Sequence, residues 1–335
     1  MSATDSLPAV RVLTKVTAVA TLLLIFIGSL VTSTGSGLAV PDWPLSFGGL
    51  FPPMVGGILY EHGHRLVAAF VGLLIVIQAV VLTRRDSRRW VKTLGWIAVA
   101  AVLLQGGLGG LTVILLLPTA VSASHAMLAQ SLLLLTLFIA YANSGEWSRR
   151  VGDLEDSGKD AGASAQRNLT ARWLVAALGA SYVQLFLGAL MRHTEAALAV
   201  PDFPLMGGQL LPLFDEGMYA HIAADRRATA LPPVVASQVV VHVLHRLWAL
   251  AVVAAVVAVN YVARRRTTQQ RWEVLQPLTW LNWLVGLQVL LGAATVMTGR
   301  VPLVASLHVV VGAATLATIV LALVRVVPVA RGAPA

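Results

Sequence analysis

The chain has 335 residues, 57% of them hydrophobic and only 12% charged, with a mean hydropathy of +0.79. That balance excludes an ordinary soluble globular domain, and the lack of any cysteine excludes a disulfide framework or thiol chemistry. A formal net charge of +9 raises a nucleic-acid partner, which the placement of the charges argues against.

Eight stretches carry the ~20 apolar residues that cross a hydrocarbon core at helical rise. They are 12–34, 62–83, 93–116, 122–143, 171–191, 238–262, 276–297 and 302–325. The first outruns the apolar part of a cleavable signal, and Gly35-Ser36-Gly37 leads into a motif rather than a cleavage site. With these eight spans, 18 of the 24 Lys and Arg fall on one side, from Arg11 to Arg331. The other side holds Arg65, Arg192, Arg226, Arg227, Arg246 and Arg300. This is the positive-inside bias; it predicts both termini in the cytoplasm of a bacterial inner membrane and accounts for the basic excess without nucleic acid.

The segment 146–170 mixes acids, bases, Gly and Ser without an apolar period and reads as a cytoplasmic linker. It separates residues 1–145 from 171–335, and the same four-helix unit appears on both sides. Leu38-Ala39-Val40-Pro41-Asp42-Trp43-Pro44-Leu45 returns as Leu198-Ala199-Val200-Pro201-Asp202-Phe203-Pro204-Leu205. Leu104-Gln105, Gly109 and Thr112-Val113 return as Leu287-Gln288, Gly292 and Thr295-Val296. The predicted fold is all-α: two tandem four-helix bundles, with an even number of spans each and therefore a pseudo-twofold along the membrane normal. The halves differ most in the first outer loop, longer by 21 residues in the second.

The repeat also pairs four histidines. His64 and His245, each followed by Arg-Leu, open the second span of each half; His125 and His308 sit in the fourth. All four fall near the outer ends of their spans. Intramembrane ionisable residues are costly and usually functional, and two facing imidazoles make a six-coordinate haem site. Small residues in spans three and seven, such as Gly109 and Gly292, would give a porphyrin room. At the entrance of span two the halves diverge: Glu61-x-x-His64 becomes His242-x-x-His245. A spacing of three places both side chains on one helix face. Glu61 can be a proton acceptor beside one porphyrin or an ion pair with Arg65; His242 can be a ligand or an interfacial hydrogen bonder. Arg65 and Arg246 can bind haem propionates or snorkel to lipid headgroups. The Pro-Asp-aromatic-Pro segments read as stiff caps over the bundle mouths with Trp43 and Phe203 turned inward, or as an interfacial aromatic belt. His62, His193 and His221 have no counterpart and read as surface or loop residues.

The Gly-Leu-Ala-Val-Pro-Asp-Trp-Pro loop at 37–44, Glu61-x-x-His64-Arg65, the four repeated histidines and the two Leu-Gln-x-x-x-Gly helices resemble the haem A synthase family over nearly the whole chain. The resemblance implies an enzyme that oxidises a methyl group of haem O to a formyl group, by two successive oxidations and loss of water. It implies haem O as substrate in the first half, handed over by a haem O synthase, with His64 and His125 as iron ligands and Glu61 as the essential acid. It implies a haem b cofactor between His245 and His308. Some relatives carry a cysteine pair in an outer loop; this chain has none, so no thiol relay can serve it. Two other readings stay open at this level. A diheme b-type cytochrome would need the same histidines and only pass electrons, and a transporter could be built from parallel repeats, although here the polar residues gather at the outer ends and not at the midplane. Membrane lipids are expected partners, and a homo-oligomer is left open.

Overall fold

The computed structural model of the chain describes residues 8–156, 161–265 and 271–327. Lys159, Arg266 and Arg331, counted above toward the cytoplasmic side, lie outside those residues, as do parts of the 146–170 segment. Among the described residues there are ten α-helices, one short 3-10 turn and no β-strand. Eight helices are long and apolar enough to cross a membrane, and the protein is a multi-pass membrane protein. With no water in a hydrocarbon core, only a helix satisfies every backbone N–H and C=O within one segment, which is why long apolar runs take this form.

The first four are α1 (Pro8–Ser33), α2 (Gly56–Arg85), α3 (Arg89–Ile114) and α4 (Thr119–Ala142). A short α5 (Gly145–Asp156) leads to α6 (Ala161–His193), and α7 (Glu216–Ala228) lies in the following outer loop. The last three are α8 (Ala236–Arg265), α9 (Arg271–Met297) and α10 (Pro302–Val326). Proline sets two of the starts: Pro118 is the N-cap of α4, and Pro302 stands in the first turn of α10, where its missing N–H costs nothing.

The eight predicted spans match eight of these helices, with one informative shift. α2 begins at Gly56, not 62, so Glu61 and His64 stand well inside the helix. Hydropathy marks where lipid begins, but a helix continues wherever another part of the protein covers its polar turn, and here the preceding loop covers it. The 146–170 segment also departs from a plain linker, because its first residues form α5 and residues 161–170 open α6. Trp147 anchors that helix, with ring centres 5.5 Å from Trp90, 5.8 Å from Tyr141 and 6.3 Å from Phe138. A 2.6 Å ion pair from Arg325 to Glu146, and a 2.8 Å bond from Arg150 to the Val324 carbonyl, tie α5 to the end of α10.

Helix contacts form two closed rings. α1 packs on α2 and α4, and α3 packs on both α2 and α4; in the second half α6 packs on α8 and α10, and α9 on both of those. The α2 and α4 helices are therefore diagonal across the first ring, as α8 and α10 are across the second. Between rings, α1 meets α10, α4 meets α6, and α4 meets α10. The extra 21 residues of the second outer loop are accounted for largely by α7. Asp215 caps it, accepting from the Met218 N–H at 2.8 Å. Met218 and Ile222 bury into an outer cluster with Ala196, Val200, Met206, Val239 and Val243. Buried Arg226 on the same helix donates to the Pro232 and Leu198 carbonyls and pins both ends of the loop.

Met218→Ala should remove a fully buried side chain at a cost of about 2–5 kcal/mol, loosening α7 alone. The expected result is faster proteolytic nicking between residues 207 and 235 with the transmembrane fragments intact; an unchanged nicking rate would mean that α7 is held by other contacts.

Candidate functional site

Each of the four repeated histidines projects from a helix against a glycine of its neighbour. A Cβ added to Gly28 of α1 would lie 2.9 Å from the His64 Cε1 atom. The corresponding distances are 3.2 Å from Gly109 of α3 to His125, 3.1 Å from Gly188 of α6 to His245, and 3.1 Å from Gly292 of α9 to His308. At Gly28 a Cβ would force a displacement, and at the other three it would be tighter than nearly all real Cβ contacts and would push the ring by a few tenths of an ångström, so each imidazole is packed to the closeness that a glycine backbone allows. The seat fixes ring position from one side. The other side of each ring faces the bundle interior, because α2 and α4, and α8 and α10, are the diagonal pairs.

In the second half the facing is measurable: the His245 and His308 ring centres are 6.4 Å apart. An imidazole nitrogen binds a first-row metal at about 2 Å, so two imidazoles on opposite sides of one ion would have their ring centres about 6 Å apart. The pair therefore fits a single metal centre. The Nδ1 atoms of His64, His125 and His308 are buried without a hydrogen-bond partner among the described residues, an unusual state for a buried polar atom. Three glutamines attend the rings. Gln105 donates to the His125 carbonyl at 2.9 Å, Gln184 lies 3.2 Å from His245 Nε2 and donates to the His245 carbonyl, and Gln288 lies 3.4 Å from His308 Nε2. Sequence comparison of the halves finds Gln105 and Gln288 but not Gln184, whose first-half counterpart is Leu24.

Above each pair sits one of the two repeated loops, and the two are built alike. The Asp42 carboxylate accepts from the Phe47 and Gly48 N–H groups at 2.7 and 2.8 Å, and Asp202 accepts from Gly207 and Gly208 at 2.9 and 2.8 Å. The N–H groups of Gly48 and Phe47 hold the Asp42 carboxyl below the ordinary carboxylate range. Both aromatic-proline bonds, Trp43–Pro44 and Phe203–Pro204, are cis. Trp43 lays one face on Gly110 of α3, where a Cβ would come within 2.6 Å of the indole, and stays 43% exposed on the other. In the second half the smaller Phe203 replaces Trp43 while Ala293 replaces Gly110, so ring size and helix surface change together.

Arg65 and Arg246 hold these loops down. Arg65 donates to the carbonyls of Val40, Asp42 and Leu45 and to Glu61 Oε1. Arg246 donates to the carbonyls of Val200, Asp202 and Leu205 and to His242 Nε2. Four of five N–H groups are committed in each, to partners that neither a propionate nor a headgroup reading anticipates. The Glu61/His242 exchange falls at the centre of the same clamp. Glu61 is buried, with Oε1 at 2.6 Å from Arg65 and Oε2 accepting from the Val40 N–H at 2.8 Å. The ion-pair reading of Glu61 is thus realised. For His242, Arg246 Nε–H can only donate, so His242 Nε2 accepts and its Nδ1–H donates to the Ala196 carbonyl at 3.0 Å. Both nitrogens are spent on the loop, which removes His242 as a metal ligand.

The unpaired histidines are not all alike. His62 is a correction to the surface reading: it is buried on α2, with Nδ1 2.8 Å from the Ser46 hydroxyl, and so belongs to the loop clamp. Its position next to the apparent span boundary hid this. His193 is half-buried at the end of α6, where its carbonyl accepts from Thr119. His221 is exposed beside Asp225 and Asp202. One ligand atom from each of these three residues lies within 4.8 Å of the others, close enough to share an ion, but both Asp202 oxygens already serve the loop.

The model of a family described as cytochrome oxidase assembly protein, COX15-CtaA, matches residues 56–320. Over 307 residues the chain is 27% identical to the heme A synthase of Halalkalibacterium halodurans, covering 89% of this chain and 90% of that protein. It is 30% identical over 274 residues to the heme A synthase of Symbiobacterium thermophilum, with 81% and 80% covered, and 29% identical over 301 residues to that of Staphylococcus aureus, with 87% of each. The matched stretch contains all four glycine-seated histidines and the Glu61–Arg65 pair, and the chain belongs to the COX15-CtaA family of cytochrome oxidase assembly proteins, the family of the heme A synthases.

Proposed function

We propose that the protein is a haem A synthase, an oxidoreductase of the bacterial cytoplasmic membrane that converts a methyl group of haem O to a formyl group. The observation that carries the reading is the set of four imidazoles, each seated on a glycine and paired across a ring of four helices. In this reading residues 1–145 hold the haem O substrate through His64 and His125, and residues 171–335 hold haem b through His245 and His308. The two bundles are related by a pseudo-twofold along the membrane normal, and both termini face the cytoplasm. Supporting the twofold, the contacts between halves exchange with one another: α1–α10 corresponds to α6–α4.

A haem b held by His245 and His308 would supply one-electron chemistry. The rest is done by the chain. The seats hold the rings, so that each iron finds its ligands already placed, and the clamped loops keep water from the outer mouths. Glu61 is the proton-handling group of the first half. Its two oxygens each accept one hydrogen bond and keep further lone pairs, so it can take a proton while still anchored. The neutral His242 in the same place has no such capacity, which suits a half that only carries electrons. The remaining Arg65 Nε–H and one Arg246 Nη2–H are available to a haem propionate.

Four outcomes test the reading. Co-expressed with a haem O synthase, the protein should yield haem A, and recovery of protohaem and haem O alone would make it an electron carrier. In that system Glu61→Ala should lower haem A by roughly 10²-fold or more while the second-half haem remains, and undiminished haem A would remove Glu61 from the chemistry. Purified protein should show a low-spin bis-histidine spectrum that His308→Ala abolishes and Gly292→Val weakens by displacing the ring; a spectrum indifferent to both would detach the second half from haem b. A reporter fused after Arg331 should read cytoplasmic, and a periplasmic signal would invert the assigned topology.

A further inference from the structure

Below the histidines the two halves have opposite interiors. The buried positions of α1 recur in α6 at an offset of 160 residues: Thr14, Thr17 and Thr21 correspond to Leu174, Ala177 and Ser181, all buried. Those of α2 recur in α8 at 181, so that Gln78 corresponds to Val259; those of α4 recur in α10 at 183, so that Gln130 and Thr136 correspond to Ala313 and Ile319. Five buried polar residues in the first half thus stand where the second half buries Leu, Ala, Val, Ala and Ile. The reverse exchange is smaller and more scattered: Thr170, Gln184, Asn260 and Thr315 replace Val10, Leu24, Ala79 and Leu132, and Ser181 keeps the hydroxyl of Thr21. The positions converge in space, because Leu174, Ala177, Val259 and Ile319 belong to one contiguous apolar cluster.

The two glutamines of the first-half set are also unsatisfied. Gln78 is 0% exposed, and neither its amide nitrogen nor its oxygen has a partner among the described residues; the Gln130 oxygen is likewise buried and unpartnered. The threonine hydroxyls donate to carbonyls of their own helices, which leaves their lone pairs free to accept. Leaving a buried amide unbonded costs several kcal/mol in hydrocarbon, and the usual remedy is buried water, which needs two to four polar partners. The spacing suits a file of such waters. At ~1.5 Å per residue, Gln130 lies ~8 Å below His125, Thr21 ~10 Å below Gly28, Thr17 and Thr136 ~16 Å below, and Thr14 and Gln78 ~21 Å below.

We propose that the first half, and not the second, contains a hydrated polar column on Thr14, Thr17, Thr21, Gln78, Gln130 and Thr136, which carries protons and water between the His64–His125 site and the opposite end of the bundle. The transport role rests on the proposed methyl oxidation; the hydration does not. Forming an aldehyde from a methyl group exchanges protons and releases water at the reacting carbon, and a site lidded by loops and walled by lipid needs a route for both. A half that only holds a bis-histidine haem needs none: its unpartnered groups, on Ser181, Gln184 and Gln288, stay close to the histidines, and the core beneath them is the apolar cluster of Leu174, Ala177, Val259 and Ile319.

The test grafts the second half's own residues into the first. Full-length protein is irradiated in lipid nanodiscs so that bound water yields hydroxyl radical, and oxidation is read by mass spectrometry at Leu133 and at its buried counterpart Leu316. Leu133 should be labelled at least about tenfold more than Leu316. Gln78→Val with Thr136→Ile should erase the difference and cut haem A formation at least about tenfold, with both haem spectra retained; Gln78→Glu should restore labelling. If the double variant does not fold, Gln78→Val alone serves. Equal labelling of the two leucines in the unaltered protein overturns the column. Full haem A formation in a variant that has lost its labelling overturns the transport role. Wild-type protein that makes no haem A, yet labels Leu133 alone, refutes the proposed function and leaves the hydration standing.

Discussion

The histidine end of this protein depends on the approach of an imidazole to the backbone of the adjacent helix. In lipid no hydrophobic force drives helices together, so close contact has to come from small residues and from shape. At four places a glycine lets a histidine ring approach to 2.9–3.2 Å from where a Cβ would otherwise be, and at each the ring belongs to the even-numbered span of its half. Two consequences follow. Helix spacing and ring position are set by the same contact, so a change in one is a change in the other. The rings are ordered chiefly by packing: three of them have no hydrogen-bond partner for Nδ1, and the only side chains that reach a ring nitrogen among the described residues are Gln184 at His245 and Gln288 at His308. Where a soluble metalloprotein commonly orients a ligating histidine through a carboxylate or carbonyl on its second nitrogen, these are oriented mainly by steric fit.

The loops use the opposite strategy. They are polar, lie beyond the spans, and are held by an arginine that collects three carbonyls in each half. What differs is the group that finishes the arginine's shell: a carboxylate in one half, a neutral imidazole in the other. Structurally the two are near-equivalents, because each accepts from the arginine and each engages the loop backbone. Loop architecture therefore cannot explain why the halves differ there. The charge can. With the repeated loop aspartate counted in each, Glu61 gives the Arg65 clamp one more negative charge than the Arg246 clamp, where neutral His242 leaves Asp202 alone to balance the arginine.

How much of this was legible in the sequence depends on what kind of force wrote it. Lipid wrote the eight spans as long apolar runs, and all eight read out in order, although α2 begins at Gly56 and α6 at Ala161, well before the apolar runs at 62 and 171. The repeat wrote the four histidines, since duplication converts single residues into matched pairs. The offset of 160 that joins the two loops also joins Gly28 to Gly188, so that pair was present too, but nothing in a sequence separates a glycine seat from the many glycines of a membrane helix. Helices α5 and α7 were not legible, because their apolar faces are short and are covered by protein: Trp147 by an aromatic cluster, Met218 and Ile222 by the outer loop. His62 and the start of α2 were missed for the same reason, since a polar turn covered by a loop looks like the end of a span.

The contrast between the two interiors needed burial as well as sequence. Three threonines on α1 are ordinary residues for a transmembrane helix, and a glutamine near the end of a span passes as interfacial. Only when Gln78 is found fully enclosed, and Leu174, Ala177, Val259 and Ile319 are found packed together in the other half, does the substitution pattern become a physical statement. A duplicated bundle begins with one interior used twice. Apolar replacement is the easy direction, because it removes the cost of burying unpaired amides in hydrocarbon. That one copy keeps these groups in the core, directly beneath its histidines, means that hydration there has a use that outweighs the packing it forgoes. The same copy holds the carboxylate of Glu61 at the top of its site. The two differences lie at opposite ends of one histidine pair, and both concern protons.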